Sequence, residues 1–163
     1  PRLKRSGAHN VQLMHPDTPD VLAPLTGEMD CVFIDAPCSG TGTWRRKPDT
    51  KWRLTEKALA RRMDEQTEIL AEAARFVKPG GRLVYATCSF LMEEDEDRVE
   101  VFLAGHPGFV AESAAGAAVA SGLLTDEGAR IVQAAEGPAG SVRLTPLSAG
   151  TDGFFFAVLR RTD

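Results

Sequence analysis

The sequence predicts an α/β domain built on a parallel sheet. Two near-continuous apolar runs, at 29–34 and 82–87, have the pattern of strands buried on both faces. A stretch with helical periodicity lies between them, and a second helical stretch follows. This alternation calls for crossover connections and therefore for parallel pairing. A chain of 163 residues is long enough for one such domain with a sizeable core.

Residues 1–6 read as the tail of a helix that stops at Gly7, and the chain opens without an initiator Met. A fragment whose N-terminal part lies elsewhere is therefore expected. Residues 10–14 are a short candidate strand, and 16–25 a loop with one helical turn. The 29–34 strand leads into 36–53, a long loop rich in Pro, Gly, Ser and Thr, of the kind that is often functional. Thr55 is a suitable N-cap for a helix reaching about Val77, with Leu59, Met63, Leu70, Ala73 and Val77 on its apolar face. Pro79-Gly80-Gly81 ends that helix and 82–87 forms the next strand. Residues 94–103 form a second helix with Val99, Phe102 and Leu103 on one side. The Ala- and Gly-rich stretch 109–140 has little periodicity and reads as helix fragments and loops. Val142–Leu144 and 153–159 are two closing strands joined by "TPLSAGTDG".

The formal net charge is -4, so any contact with nucleic acid must come from a local patch. The three cysteines, Cys31, Cys38 and Cys88, are too few and odd in number for a disulfide scaffold and suit a reducing compartment. No run of 18 or more apolar residues occurs and no signal peptide opens the chain, so a soluble cytoplasmic domain without membrane contact is expected.

Two strand ends carry chemistry. In "DAPCSGTGTWRRKPD" (35–49) and "LVYATCS" (83–89), Cys38 and Cys88 fall just past the C-terminal ends of strands, the edge where open α/β sheets bind ligands. One helical crossover joins the strands, so they are expected to be neighbours, with both thiols and Asp35 on one rim. Cys31, inside the apolar run, reads as a buried inert thiol. For Cys38 and Cys88 the alternative to function is simple packing. His9, His15 and His106 are scattered and no Cys-x-x-Cys occurs, so no metal site is expected. No His can be placed beside either cysteine as a papain-like enzyme needs, and a dithiol redox pair lacks the usual close spacing.

Between Arg45 and Arg62 the chain holds eight basic residues (Arg45, Arg46, Lys47, Lys51, Arg53, Lys57, Arg61 and Arg62) against Asp49 and Glu56, an excess of six positive charges. Trp44 and Trp52 are interleaved with them, a combination suited to phosphate contact and base stacking. The alternative is a solvated helix face with two core tryptophans. The acidic run "EEDEDRVE" (93–100) reads as a helix N-terminus favoured by the dipole.

"DAPCSGTG", "RRKPDTKW", "LVYATCS", the following "EEDEDRV" and the terminal "GTDGFFFAVL" together resemble the Sun/Nop2-type RNA cytosine-C5 methyltransferases, nearest the bacterial branch that modifies small-subunit ribosomal RNA. The resemblance implies a Rossmann-like methyltransferase sheet, mostly parallel with a C-terminal antiparallel hairpin, that uses S-adenosylmethionine. It implies Cys88 as nucleophile, Cys38 as the group that helps release the product, and Asp35 as the contact to the target base. Asp17, Asp35 and Pro37 match the cofactor site, and Arg45, Arg46, Lys47, Lys51 and Trp52 fall in the segment expected to bind RNA. The family's Gly-rich turn, a nearby lysine and the second-strand acid are not in this sequence, so the expectation is a partial catalytic domain with N-terminal strands missing. Such a piece is expected to be inactive alone and to bind cofactor weakly, with an open strand edge that can pair with another copy. Leu147 stands where a His is common.

These residue types suit that chemistry on their own terms. C5 of cytosine is a poor nucleophile until a thiolate adds at C6, and an acid at N3 eases the addition. Cations from the 45–51 loop are expected to favour the thiolate, and the base must be unstacked to reach it. Two other readings share the fold: a noncatalytic RNA-binding module, and a methyltransferase acting on another nucleic-acid target. A binding module has no need of paired thiols, and an amino-group methyltransferase needs no cysteine nucleophile.

Overall fold

The computed structural model of the chain describes Arg5, residues 7–14 and residues 21–163. Most of the expected helix tail, and Asp17 with the loop around it, lie outside the described residues. Five strands make one sheet: β1 (Met29–Asp35), β2 (Val77–Thr87), β3 (Phe109–Glu112), β4 (Val142–Leu144) and β5 (Phe154–Arg161). The order is β1-β2-β5-β3, with β4 also on β5. β1 and β2 are parallel, while β5 is antiparallel to β2, β3 and β4, so β5 alone runs against the other four.

The helices are α1 (Glu56–Ala74), α2 (Glu96–Gly105), α3 (Ala114–Ala120), α4 (Asp126–Ala134) and the single turn α5 (Pro146–Ala149). They pack on both faces of the sheet. On one face Leu70 and Ala73 of α1 and Val99 and Phe102 of α2 meet Leu83, Tyr85, Phe155, Ala157 and Leu159. On the other, Ala114, Ala115 and Val132 of α3 and α4 meet Val142 and Val158. The two-residue period of β2 and β5 thus feeds two core layers, each large buried side chain contributing about 1.5–3 kcal/mol.

Thr55 caps α1 as expected, its Oγ1 accepting from Ala58 N at 3.1 Å. The helix stops at Ala74, short of Val77, because Val77 already pairs with Met29 at the start of β2. Pro79-Gly80-Gly81 does not end the helix. It forms a bulge between the pairs Met29↔Val77 and Cys31↔Arg82, where Gly80 takes φ 76°. α2 starts at Glu96 and not at Glu94.

Three further expectations are corrected. Residues 10–14 are not a strand; Val11 and Leu13 are 49% and 77% exposed and no described strand pairs with the segment. The stretch 109–140 contains β3, whose four residues were too few to show a period beside the Ala-rich helices. β1 is not buried on both faces. Cys31, Phe33 and Asp35 all face outward, with Phe33 62% exposed, because no described element covers that face or pairs the strand's second edge. Cys31 is accordingly an exposed thiol and not a core one.

Candidate active site

The parallel register of β1 and β2 sets Ile34 opposite Tyr85 and Asp35 opposite Ala86, and Ala36 N continues the ladder to Ala86 O at 2.9 Å. The two chains therefore leave the sheet side by side. Cys38 and Cys88 meet with their Sγ atoms 3.4 Å apart, both half-buried, and Asp35 stands exposed on the same rim.

The thiols are not equivalent. The hydrogen bond from Cys38 lowers Cys88 to about 7, against burial and the charges of Asp35 and Glu94, which push the other way. Cys38 is driven strongly upward, first by its bond to Cys88 and then by burial. Of the two, Cys88 is therefore the first to ionise, its thiolate then accepting from the Cys38 thiol. The depression comes from the partner thiol and not, as the sequence suggested, from the cations of the 45–51 loop.

Behind the thiols lies a buried polar layer. Glu94 is fully buried, with Ser39 N at 2.7 Å and Gln66 Nε2 at 3.2 Å on Oε1, and the hydroxyls of Ser39 and Ser89 both at 2.5 Å on Oε2. Gln66 Nε2 also donates to Pro37 O at 2.9 Å. Thr41 Oγ1 accepts from Phe90 N at 2.8 Å and lies 3.1 Å from Ser89 Oγ. One step deeper, Asp95 accepts from Thr87 Oγ1 at 2.6 Å and lies 3.4 Å from Arg143, whose other nitrogen donates to Phe90 O at 2.6 Å. Burial lifts Asp95 to about 7.

The C-terminal motif belongs to the same construction. Gly153 N donates to Gly42 O at 2.9 Å, and Gly42 N donates to Cys88 O at 3.0 Å. A Cβ on Gly42 would lie 2.5 Å from Gly153 O, so only glycine allows "DAPCSGTG" and "GTDG" to cross this closely. Arg46 pairs with Asp152 and ties the basic loop to the same turn, whereas Leu147 is 98% exposed and away from any contact of this kind.

Arg45, Arg46, Lys47, Lys51 and Trp52 are all exposed, Trp52 by 81%. The reading of two core tryptophans therefore fails for Trp52, while Trp44 is half-buried. Lys51 Nζ sits 5.8 Å from the Trp44 ring and 5.6 Å from the Trp52 ring, joining the two into one cationic aromatic surface. A cleft of about 250 Å³ runs from Cys38 and Ser39 to Arg53 and Arg62. Among the described residues no three His, Cys, Asp or Glu side chains gather as a metal site, and no helix is long and apolar enough to cross a membrane.

Sequence reasoning missed Glu94, Gln66, Asp95 and Arg143. Gln66 left a signal, a polar residue in the buried stripe of α1 between Met63 and Leu70. Glu94 and Asp95 were hidden inside a run of acids whose later members, Glu96 and Asp97, do sit in the first turn of α2.

Helices on both faces and a single reversed strand make this a Rossmann-like methyltransferase fold, with paired thiols at its strand ends. The chain belongs to the family described as 16S rRNA methyltransferase RsmB/F, whose model matches residues 2–160. It is 38% identical to the ribosomal RNA small subunit methyltransferase B of Sodalis glossinidius (strain morsitans), over 78% of this chain and 25% of that protein. The protein of the same description from Thermus thermophilus is 33% identical, over 99% of this chain and 38% of its own length. The crystal structure of PH0851 superposes with a TM-score of 0.78 at 33% identity, covering 98% of this chain and 33% of that one. The chain thus spans between a quarter and about two fifths of the curated relatives it matches here.

Proposed function

We propose that the protein methylates C5 of a cytosine in RNA, ribosomal RNA by the description of its family, with Cys88 as the nucleophile. The observation that carries this reading is the meeting of Cys38 and Cys88, 3.4 Å apart at the ends of two parallel strands, with Asp35 on the same rim. The contact with Cys38 lowers Cys88 to about 7 and makes it the readier of the two to ionise. A packing role leaves a half-buried thiol pair beside an exposed carboxylate without a use. The proposed setting is the cytoplasm, whose reducing conditions keep both thiols free.

S-adenosylmethionine, when bound, supplies an electrophilic methyl group. The residues present suit it in part. Asp35 offers an exposed carboxylate on the thiol rim, while the carbonyl of Pro37 is already held by Gln66 and Asp17 is outside the described residues. Cys88 forms a bond to C6 of the target base, and Asp35 holds the proton at N3 as charge builds on the ring. C5 then becomes the methyl acceptor. Once Cys88 is bonded to carbon, the thiolate that kept Cys38 protonated is gone; Cys38 gives its proton to solvent, its thiolate then takes the C5 proton, the C6–S bond breaks to return the Cys88 thiolate, and the N3 proton goes back to Asp35. The exposed Arg45, Lys47, Lys51 and Trp52 hold the RNA, and the cleft between Cys38 and Arg62 receives the unstacked nucleotide. The edge of β1 that no described strand pairs can take a strand from a second copy.

The test is a Cys38→Ala form of the whole protein, incubated with S-adenosylmethionine and ribosomal RNA. An RNA-linked band on a denaturing gel that vanishes with Cys88→Ala is expected. Undiminished methyl transfer with no such band would sink the two-thiol mechanism.

A further inference from the structure

We propose that Glu94 is the positioning residue of the thiol pair: its single carboxylate draws together the loop that follows Cys38 and the loop that follows Cys88, and so holds the two sulfurs in register. Ser39 is the next residue after Cys38 and Ser89 the next after Cys88. Their hydroxyls both donate to the same oxygen, Oε2, at 2.5 Å, and lie 3.3 Å from each other. The other oxygen, Oε1, takes Ser39 N and the amide of Gln66, which also holds Pro37 O on the Cys38 side. The two loops come from sequence positions 50 apart, and no other described side chain bonds to both residues that follow the cysteines.

The physical case rests on how fully the carboxylate is used. A buried carboxylate with no partners costs several kcal/mol, so it is retained only where donors surround it. Glu94 has no exposed surface, and four donors occupy the roughly four acceptor positions of its two oxygens. Each donor fixes a direction, and three of the four, Ser39 N, Ser39 Oγ and Ser89 Oγ, belong to residues that directly follow a cysteine. The backbone carbonyl of Glu94 is pinned as well, accepting from the buried Tyr85 hydroxyl at 2.6 Å. The carboxylate is therefore a rigid post to which both loops are tied. A thiol pair whose function depends on a 3.4 Å contact needs such a post, because both cysteines lie on loops and not on the strands themselves.

Charge and geometry make opposite predictions, which isolates the positioning role. The negative charge of Glu94 pushes Cys88 upward, so neutralising it by charge alone brings Cys88 down. The contact with Cys38 pulls Cys88 downward and is the largest influence on it, so loosening that contact lets Cys88 rise. Glu94→Gln keeps the size of the side chain but turns one acceptor into a donor, which opposes the hydroxyls or the amides it faces.

The experiment follows alkylation of Cys88 by iodoacetamide against pH, with peptide mass mapping, in the chain carrying Cys31→Ser. This readout needs neither RNA nor methyl donor, so its failure is separate from failure of the proposed activity, although the inference rests on the two-thiol reading of the site. Glu94→Gln is expected to raise the midpoint by about one pH unit, a tenfold lower thiolate fraction at pH 6. Ser39→Ala, which leaves the charge of Glu94 in place, is expected to raise it as well and decides the matter alone if Glu94→Gln does not fold. Circular dichroism establishes that each variant is folded. A midpoint that falls or stays in folded Glu94→Gln, or stays in Ser39→Ala, overturns the proposal.

Discussion

Replacing Cys38 by Ala removes the donor that keeps Cys88 ionised. Cys88 sits at about 7, and of its environment the Cys38 bond is the largest downward influence while burial and the Asp35 charge act upward. Without the bond, Cys88 returns at least to the ordinary thiol value of about 8.5. At pH 7 the thiolate fraction then falls from about one half to about 3%. The rate of alkylation falls less, about threefold, because a more basic thiolate is a better nucleophile. The midpoint of the alkylation–pH curve is therefore the quantity to measure, with Cys31 changed to Ser and the label mapped to Cys88. Cys38→Ser provides the internal control, since a hydroxyl can still donate to the thiolate and should recover part of the depression. A Cys38→Ala midpoint that stays near 7 would mean that something other than the thiol pair ionises Cys88, and the asymmetry argued for the site would be wrong.

Gly153→Ala should destabilise the fold by about 1–3 kcal/mol, because its new Cβ would lie 2.6 Å from Gly42 Cα and 2.1 Å from the Phe90 ring; denaturant unfolding reads this directly. Gly105→Ala, at the end of α2 with nothing within 4 Å of the new Cβ, should be neutral or stabilising by up to about 1 kcal/mol in the same assay. Asp95 provides a pH signature. Its folded value of about 7 lies above the unfolded carboxylate value, so the folded state binds the extra proton and this residue's contribution to stability falls as pH rises from about 4 to 7, by at most about 4 kcal/mol. Asp95→Asn should flatten the fall relative to the unsubstituted chain over that window, and identical slopes in thermal melts at pH 5 and pH 8 would refute the assignment.

The sequence by itself determined the α/β class, the neighbouring of the two thiol-bearing strands, the cap at Thr55 and the exposed basic segment. These are local or topological properties. An apolar run, a helical period and a crossover each restrict the answer before any packing is known. The motifs around Cys38 and Cys88 were legible for the same reason, since both sit where a parallel strand must deliver its loop. The tertiary structure decided that the two thiols act on each other's ionisation, because that depends on a 3.4 Å contact between residues 50 positions apart. It decided that Cys31 and Phe33 face outward, because burial of a strand face depends on what covers it and not on the strand's own composition. It alone separated Glu94 from the acids around it. A carboxylate's role is set by the donors that surround it, and those of Glu94 come from Ser39, Gln66 and Ser89, residues on three separate segments that only the folded sheet brings together.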